Sequence, residues 1–152
     1  MIIGVISDTH GLLRPEAVEA LRDSELIVHA GDVGDPEILE RLRDIAPTMA
    51  VRGNVDTQPW ARTLPVTEVV QAGPLHLYVL HDLETLDLDP KAAGFAAVIS
   101  GHSHKPVAET RDGVLYLNPG SAGRRRFSLP ICLARLRLTG DHLDYEFINL
   151  DI

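Results

Sequence analysis

Five short apolar stretches of this chain each run directly into a residue able to bind a metal ion. Ile2 to Ile6 leads to Asp8 and His10, Leu26 to Val28 leads to His29 and Asp32, and Thr48 to Val51 leads to Asn54. Leu75 to Leu80 leads to His81, and Ala96 to Ile99 leads to His102 and His104. Runs of this length, bounded by turn residues, read as strands. In an open α/β sheet the residues just beyond the carboxyl ends of parallel strands share one edge, and ligands bind there. Asp8, Asp32, Asn54 and the histidines 10, 81, 102 and 104 are therefore expected in one crevice. These oxygen and nitrogen donors are too many for a single tetrahedral ion. They suit two ions sharing a carboxylate, an arrangement that hydrolyses phosphate esters.

The intervening segments support this layout. Leu13 to Arg22 has apolar residues at helical spacing, with Pro15 near its start. Asp35-Pro36 opens a second helix running to Asp44, with Asp35 as N-cap and Ile38, Leu39 and Leu42 as the buried face. Strand and helix alternate as in parallel βαβ units. Val66 to Val70 and Leu75 to Leu80 read as a hairpin, and Leu83 to Gly94 as a short irregular helix. Beyond residue 105 the chain reads as antiparallel strands over Val107 to Thr110, Val114 to Leu117, Ile131 to Leu138 and His142 to Leu150. The α/β part and the antiparallel part are expected to form two sheets packed face to face, with helices outside.

With 152 residues, 45% of them hydrophobic, the chain is expected to be one domain, 1–152, with a proper core. A formal charge of −8, from 22 acidic and 14 basic side chains, argues against a nucleic-acid-coating protein and against nucleic acid as a stable partner. Bound divalent cations would offset part of this charge, and a modest excess of either sign also keeps a protein dissolved. Cys132 is the single cysteine, so no internal disulfide can form; it is expected to pack as a small hydrophobe. The N-terminus lacks the basic region and unbroken apolar run of a signal peptide. No stretch approaches the ~20 apolar residues of a membrane helix. A cytoplasmic setting with no membrane partner is expected, and a homo-oligomer is left open.

Taken in order, Asp8-Thr9-His10, Gly31-Asp32, Gly53-Asn54, His81 and Gly101-His102-Ser103-His104 resemble the DxH, GD, GN, H and GHxH pattern of the calcineurin-like metallophosphoesterases. Asn118-Pro119-Gly120-Ser121 is similar to a further element of that family, so the resemblance covers residues 1 to about 121. A lone Gly-Asp carries no information; the full set in order, each piece at a strand end, is specific. The resemblance is to the small stand-alone bacterial and archaeal phosphodiesterases, whose lineage includes the retromer subunit of eukaryotes.

This resemblance implies an α/β fold, a four-layer αββα sandwich of two mixed β-sheets flanked by helices. It implies that Asp32 bridges two ions, that Asp8, His10 and His104 complete the first metal, and that Asn54, His81 and His102 complete the second. Mixed histidine, carboxylate and amide ligation suits manganese, or alternatively iron, zinc, cobalt or nickel, better than magnesium or calcium. The implied reaction is attack of a metal-bridging hydroxide on a small phosphoester, in line with the departing alkoxide. Asp32, Asn54 and His102 stand at its reacting centre. A phosphomonoesterase acting on nucleotides or sugar phosphates is the alternative enzyme. A protein-binding scaffold is the non-enzymatic alternative, since the retromer relative uses this fold in that way.

Departures from the pattern matter. Many superfamily phosphatases place a histidine after the Gly-Asn pair to protonate the leaving group; here Val55 and then Asp56 follow. Good leaving groups should then be favoured, with Asp56 either assisting at substrate or serving as a turn residue. Asp82 replaces the glycine usual after His81 and could orient a histidine. Only about 20 residues separate His81 from His102, so an open site is expected. Arg124, Arg125 and Arg126 could hold a substrate phosphate through bidentate contacts, although charge runs are usually solvated loops. Trp60 is expected to pack, His29 to lie behind the site, and His76 and His142 to be structural or surface groups.

Overall fold

The computed structural model describes residues 1–150. Its elements in chain order are β1 (Ile2–Ile6), α1 (Pro15–Ala20), β2 (Leu26–His29), α2 (Pro36–Arg43), β3 (Thr48–Ala50), β4 (Thr67–Ala72), β5 (Leu75–Leu80), β6 (Ala97–Ile99), β7 (Val107–Arg111), β8 (Val114–Asn118), β9 (Cys132–Thr139) and β10 (His142–Asn149). The strands form two five-stranded mixed sheets, ordered β10-β9-β1-β2-β3 and β4-β5-β6-β8-β7. In the first, β1, β2 and β3 are parallel and β9 runs antiparallel beside β1. In the second, β6 lies parallel between β5 and β8.

Alternation along the strands explains the sandwich. Val5 and Val28 of the first sheet meet Leu77, Val79, Ile99 and Leu117 of the second in one buried cluster. Period-2 patterning sends one face of each strand into this layer. The opposite face of the first sheet, with Ile6, Ile27 and Leu133, packs on α1 and α2 through Leu21, Leu39 and Leu42. The start of α2 is set as the sequence predicts: Pro36 occupies the first turn and the Asp35 side chain accepts a hydrogen bond from Glu37 N.

Two expectations are corrected. The sheets do not divide at residue 105: β9 and β10 return to the first sheet, whereas β7 and β8 complete the second. The free edge of β1 recruits β9, with Gly4 opposite Arg135 and Val5 opposite Ala134. Residues 83–94 do not form an α-helix. A single 3-10 turn, Leu83–Thr85, is capped by Asp82, and after an irregular stretch a separate hydrogen-bonded turn follows in which the Asp89 side chain accepts from Lys91 N and Ala92 N. Pro90 lacks a donor and disfavours helical geometry at the residue before it. Leu83, Leu86, Leu88 and Phe95 instead lie on the outer face of the second sheet, against Tyr78, Leu80 and Val98. Among the described residues, both α-helices therefore flank the first sheet, and the second is covered by an irregular segment.

Candidate metal centre

The carboxyl ends of the parallel strands of both sheets deliver the predicted side chains to one edge. Asp8 and His10 follow β1, Asp32 follows β2 and Asn54 follows β3, while His81 follows β5 and His102 and His104 follow β6. Among the described residues two groups have ligand atoms within 4.8 Å of one another: Asp8, His10 and His104, and Asp32, His81 and His102. His104 Nε2 lies 3.3 Å from Asp8 Oδ1 and 3.3 Å from His10 Nε2. Asp32 Oδ2 stands 3.1 Å from His81 Nε2 and 3.6 Å from His10 Nε2, so a single oxygen faces both groups. The other oxygen, Oδ1, accepts a hydrogen bond from Val55 N at 3.0 Å. Asp32 would thus present Oδ2 to bound ions, while Oδ1 already accepts from the backbone. Asn54 Oδ1 lies 3.2 Å from His102 Nδ1, which attaches it to the second group.

The backbone is bent to make these approaches. Asp8, His10, Asp32, His102 and His104 all adopt positive φ, between 46° and 73°. Side chains other than glycine rarely adopt this left-handed region, and such strain gathers at functional sites. The neighbouring glycines allow close packing. A Cβ on Gly53 would strike the Asp32 carboxylate, and one on Gly101 would strike the side chains of Ser7 and Asp8.

Hydrogen bonds hold each ligand in place. Asp8 Oδ2 accepts from the Ser7 hydroxyl at 2.6 Å and from His102 N at 3.1 Å, leaving Oδ1 turned toward the histidines. His81 Nδ1 donates to Ala30 O at 2.7 Å, which leaves Nε2 as the nitrogen facing Asp32. Asn118 donates from Nδ2 to Gly101 O and to Ser103 Oγ, pinning the loop that carries His102 and His104. Ser121 Oγ donates to Asp8 O. Behind the site, fully buried His29 accepts from Gly31 N at Nδ1 and meets Thr9 Oγ1 at Nε2. Because Thr9 Oγ1 donates to Val33 O at 2.8 Å, His29 must donate from Nε2 and stays neutral.

The charges are mutually dependent. Burial opposes ionisation of Asp8, but His10, His104, the Ser7 hydroxyl and His81 outweigh it and hold the carboxyl well below its ordinary range. Burial likewise opposes ionisation of Asp32, yet His81 and Val55 N bring it below the usual value. Asp8 raises His10, and although burial counters it, Asp32 and Ala30 O raise His81. Burial pushes His29 down to about 4.

A divalent pair fits these residues. Asp8 Oδ1 and His81 Nε2 are buried, face the ligand edge and lack a hydrogen-bond partner. Unpartnered buried polar atoms are costly in a folded protein and call for an explanation. Of the four such side-chain atoms among the described residues, Ser24 Oγ and His104 Nδ1 being the others, these two are the ones that metal ligation would satisfy.

A sequence model of the calcineurin-like phosphoesterase superfamily domain matches residues 1–141. The chain belongs to this superfamily. A relative from Methanothermobacter thermautotrophicus, named a probable metallophosphoesterase, is 39% identical over 98% of this chain and 92% of its own length. A protein of Methanocaldococcus jannaschii named a phosphodiesterase is 28% identical over 79% of this chain and 83% of its own. Among solved structures, Chaetomium thermophilum Vps29 superposes with a TM-score of 0.78 at 18% identity, covering 97% of both chains, a likeness of fold alone.

Other expected residues of this phosphoesterase fall in varied places. Asp56 is buried, and its carboxylate accepts from Val33 N, Gly34 N and Gly53 N at 2.9 to 3.2 Å. It is a clamp between the loops after β2 and β3, with both carboxylate oxygens engaged by backbone donors. Asp82 Oδ2 lies 4.0 Å from His102 Nε2, at the rim of the site. Arg124, Arg125 and Arg126 are exposed; Arg125 Nη1 donates to Leu129 O, and the charge of Arg126 acts against protonation of His10. Trp60 packs against the cluster beneath the first sheet, while His76 and His142 are exposed. Sequence reasoning missed the holding roles of Ser7 and Asn118. Position beside Asp8 was the signal for Ser7; Asn118 was legible only as a family element.

Proposed function

We propose that this protein is a binuclear-metal-dependent phosphodiesterase acting on a small phosphoester. The observation that carries the reading is the position of Asp32 Oδ2 between His81 of one group and His10 of the other, at 3.1 and 3.6 Å. Asp8, His10 and His104 would hold one ion and Asn54, His81 and His102 the other, with Asp32 shared. Four histidines in the set support manganese, with iron, zinc, cobalt or nickel as alternatives. Two bound ions would polarise the phosphoryl group and make a water acidic enough to act near neutral pH.

The chain's own residues do the rest. Asp32 fixes the spacing of the two groups, and Asn54 with half-exposed His102 orients the phosphoryl oxygens at the rim. Arg126, and with it Arg124 and Arg125, supplies positive charge on the His10 side for the anionic substrate. The two residues after Asn54 supply no leaving-group acid, because the Val55 side chain carries no proton to give and the Asp56 carboxylate is engaged by backbone donors. The departing oxygen must then leave without help from that side, which favours acidic alcohols such as phenols. This feature and the phosphodiesterase relative support diesters over monoesters. The retention of all seven donors supports an enzyme over a scaffold. A cytoplasmic setting is part of the proposal, in keeping with the free, buried thiol of Cys132.

Metal analysis of the purified protein together with hydrolysis of bis(p-nitrophenyl) phosphate and p-nitrophenyl phosphate tests this. Manganese-dependent turnover is expected, with kcat/KM for the diester at least about tenfold above that for the monoester. Turnover by metal-free protein, or a clear preference for the monoester, would overturn the proposal.

A further inference from the structure

The irregular segment over the second sheet leaves part of that sheet's outer face open. A cavity of about 330 Å³ lies there, within the usual size range of small-molecule sites. Leu83 and Glu84 form one wall, Val107 and Arg111 of β7 the other, and Tyr116 of β8 contributes its ring. His102 also lines it, so the groove is continuous with the second ligand group.

Its charge is uneven. Asp82, Glu84 and Glu109 all line the groove, and its one lining cation, Arg111, lies 2.9 Å from Glu109 and 4.8 Å from the Tyr116 ring centroid. Glu109 therefore matches Arg111, and Asp82 and Glu84 set the sign. On the other flank of the ligands Arg126 brings positive charge toward His10. A phosphate group at the ligand edge thus finds its countercharge on one side and an acidic, partly aromatic groove on the other.

We propose that this groove holds one ester arm of the substrate and selects arms with an apolar or aromatic body and no negative charge. The proposal rests on the phosphoesterase reading and adds the substrate class. Leu83, Val107 and Tyr116 offer apolar and aromatic surface, and Arg111 over the ring presents a second flat face. A carboxylated or phosphorylated arm would meet Asp82 and Glu84 as like charges.

The test uses the full chain loaded with manganese and three diester mimics: methyl methylphosphonate, methyl benzylphosphonate and the 4-carboxybenzyl analogue. Calorimetry should show the benzyl compound binding about tenfold more tightly than the methyl one, as expected when an aromatic group is buried. The carboxybenzyl compound should lose that advantage. Val107→Trp, at an exposed position, should fill the groove and bring benzyl affinity down to the methyl level without changing methyl affinity. Glu84→Lys should improve carboxybenzyl binding relative to benzyl by about threefold or more. Equal binding of the methyl and benzyl compounds, or a Val107→Trp effect on both alike, overturns the groove assignment and leaves the phosphoesterase reading standing. Failure of all three to bind overturns both.

Discussion

Asp32 Oδ2 lies 3.1 Å from His81 Nε2, although the two residues follow strands of different sheets. Asp32 reaches the contact from β2 with a left-handed backbone, and His81 is aimed by its bond to Ala30 O. The approach joins the two sheets at the edge that carries the ligands.

Asp32→Asn keeps an oxygen able to accept from Val55 N but removes the charge shared by both groups. Metal content should fall below that of wild type. Turnover should drop by at least about a thousandfold even with excess manganese, as loss of an interaction needed in the transition state would produce. Near-normal kcat in a metal-loaded variant would refute the shared-ligand assignment.

Acidification should empty the site, beginning above the ordinary histidine value of 6.5, because His10 and His81 are both raised. In metal-free protein these raised groups add stability that is fully present below 6.5 and lost as pH rises through their folded values. Asp8 and Asp32 are depressed, so their contribution is present above 3.8 and lost as pH falls through their folded values. Between these limits the cluster holds its own protons, and an entering metal must displace them. Calorimetric titration should show affinity falling by about tenfold per pH unit for each proton displaced. Affinity independent of pH across this window would contradict a histidine-built site.

His29 acts in the opposite sense. Its folded value of about 4 lies below 6.5, so it is neutral when buried and charged when unfolded. Its contribution is complete above 6.5 and is lost progressively as pH falls toward 4. The loss amounts to about 3 kcal/mol by linkage. Denaturant unfolding of metal-free His29→Gln should show a shallower acid dependence in this window than wild type. Parallel curves would place the acid sensitivity elsewhere.

Asp56→Ala removes the acceptor for Val33 N, Gly34 N and Gly53 N, leaving backbone donors without partners. Destabilisation of roughly 3 kcal/mol or more is expected. Metal affinity should fall as well, because the clamp holds the loops carrying Asp32 and Asn54. Asp56→Asn, which keeps one acceptor, should lie between the two. Stability close to wild type would show that the loops do not need the clamp.

The strand ends were legible because apolar runs of fixed length stop at residues of one chemical kind. That signal alone brings Asp8, Asp32, Asn54, His81 and the 102–104 pair to one edge. The cap of α2 was legible from Asp35-Pro36, since capping depends on adjacent residues. Sheet membership of β9 was not: nothing local in Cys132 to Thr139 distinguishes pairing with β1 from pairing with β8. The coil at residues 83–94 was misread because Leu83 and Leu86 match helical spacing, while Pro90 breaks it later. The role of Asp56 was hidden because its partners are backbone donors from residues more than twenty positions away. The bond from the Val55 amide to one oxygen of Asp32 likewise leaves no mark in composition.

Each ligand group draws on both sheets: Asp8 and His10 need His104, and Asp32 needs His81 and His102. A growing polypeptide that has reached β4 owns four of the seven donors and neither complete set. Even at His104 the first sheet still lacks β9, which closes against β1 from far along the chain. Synthesis order would therefore make tight capture of metal a late event, after strands of both sheets have met. A polypeptide stalled or cut before β9 would carry the donors without the rigid frame that aims them, and tight metal retention would mark the finished fold.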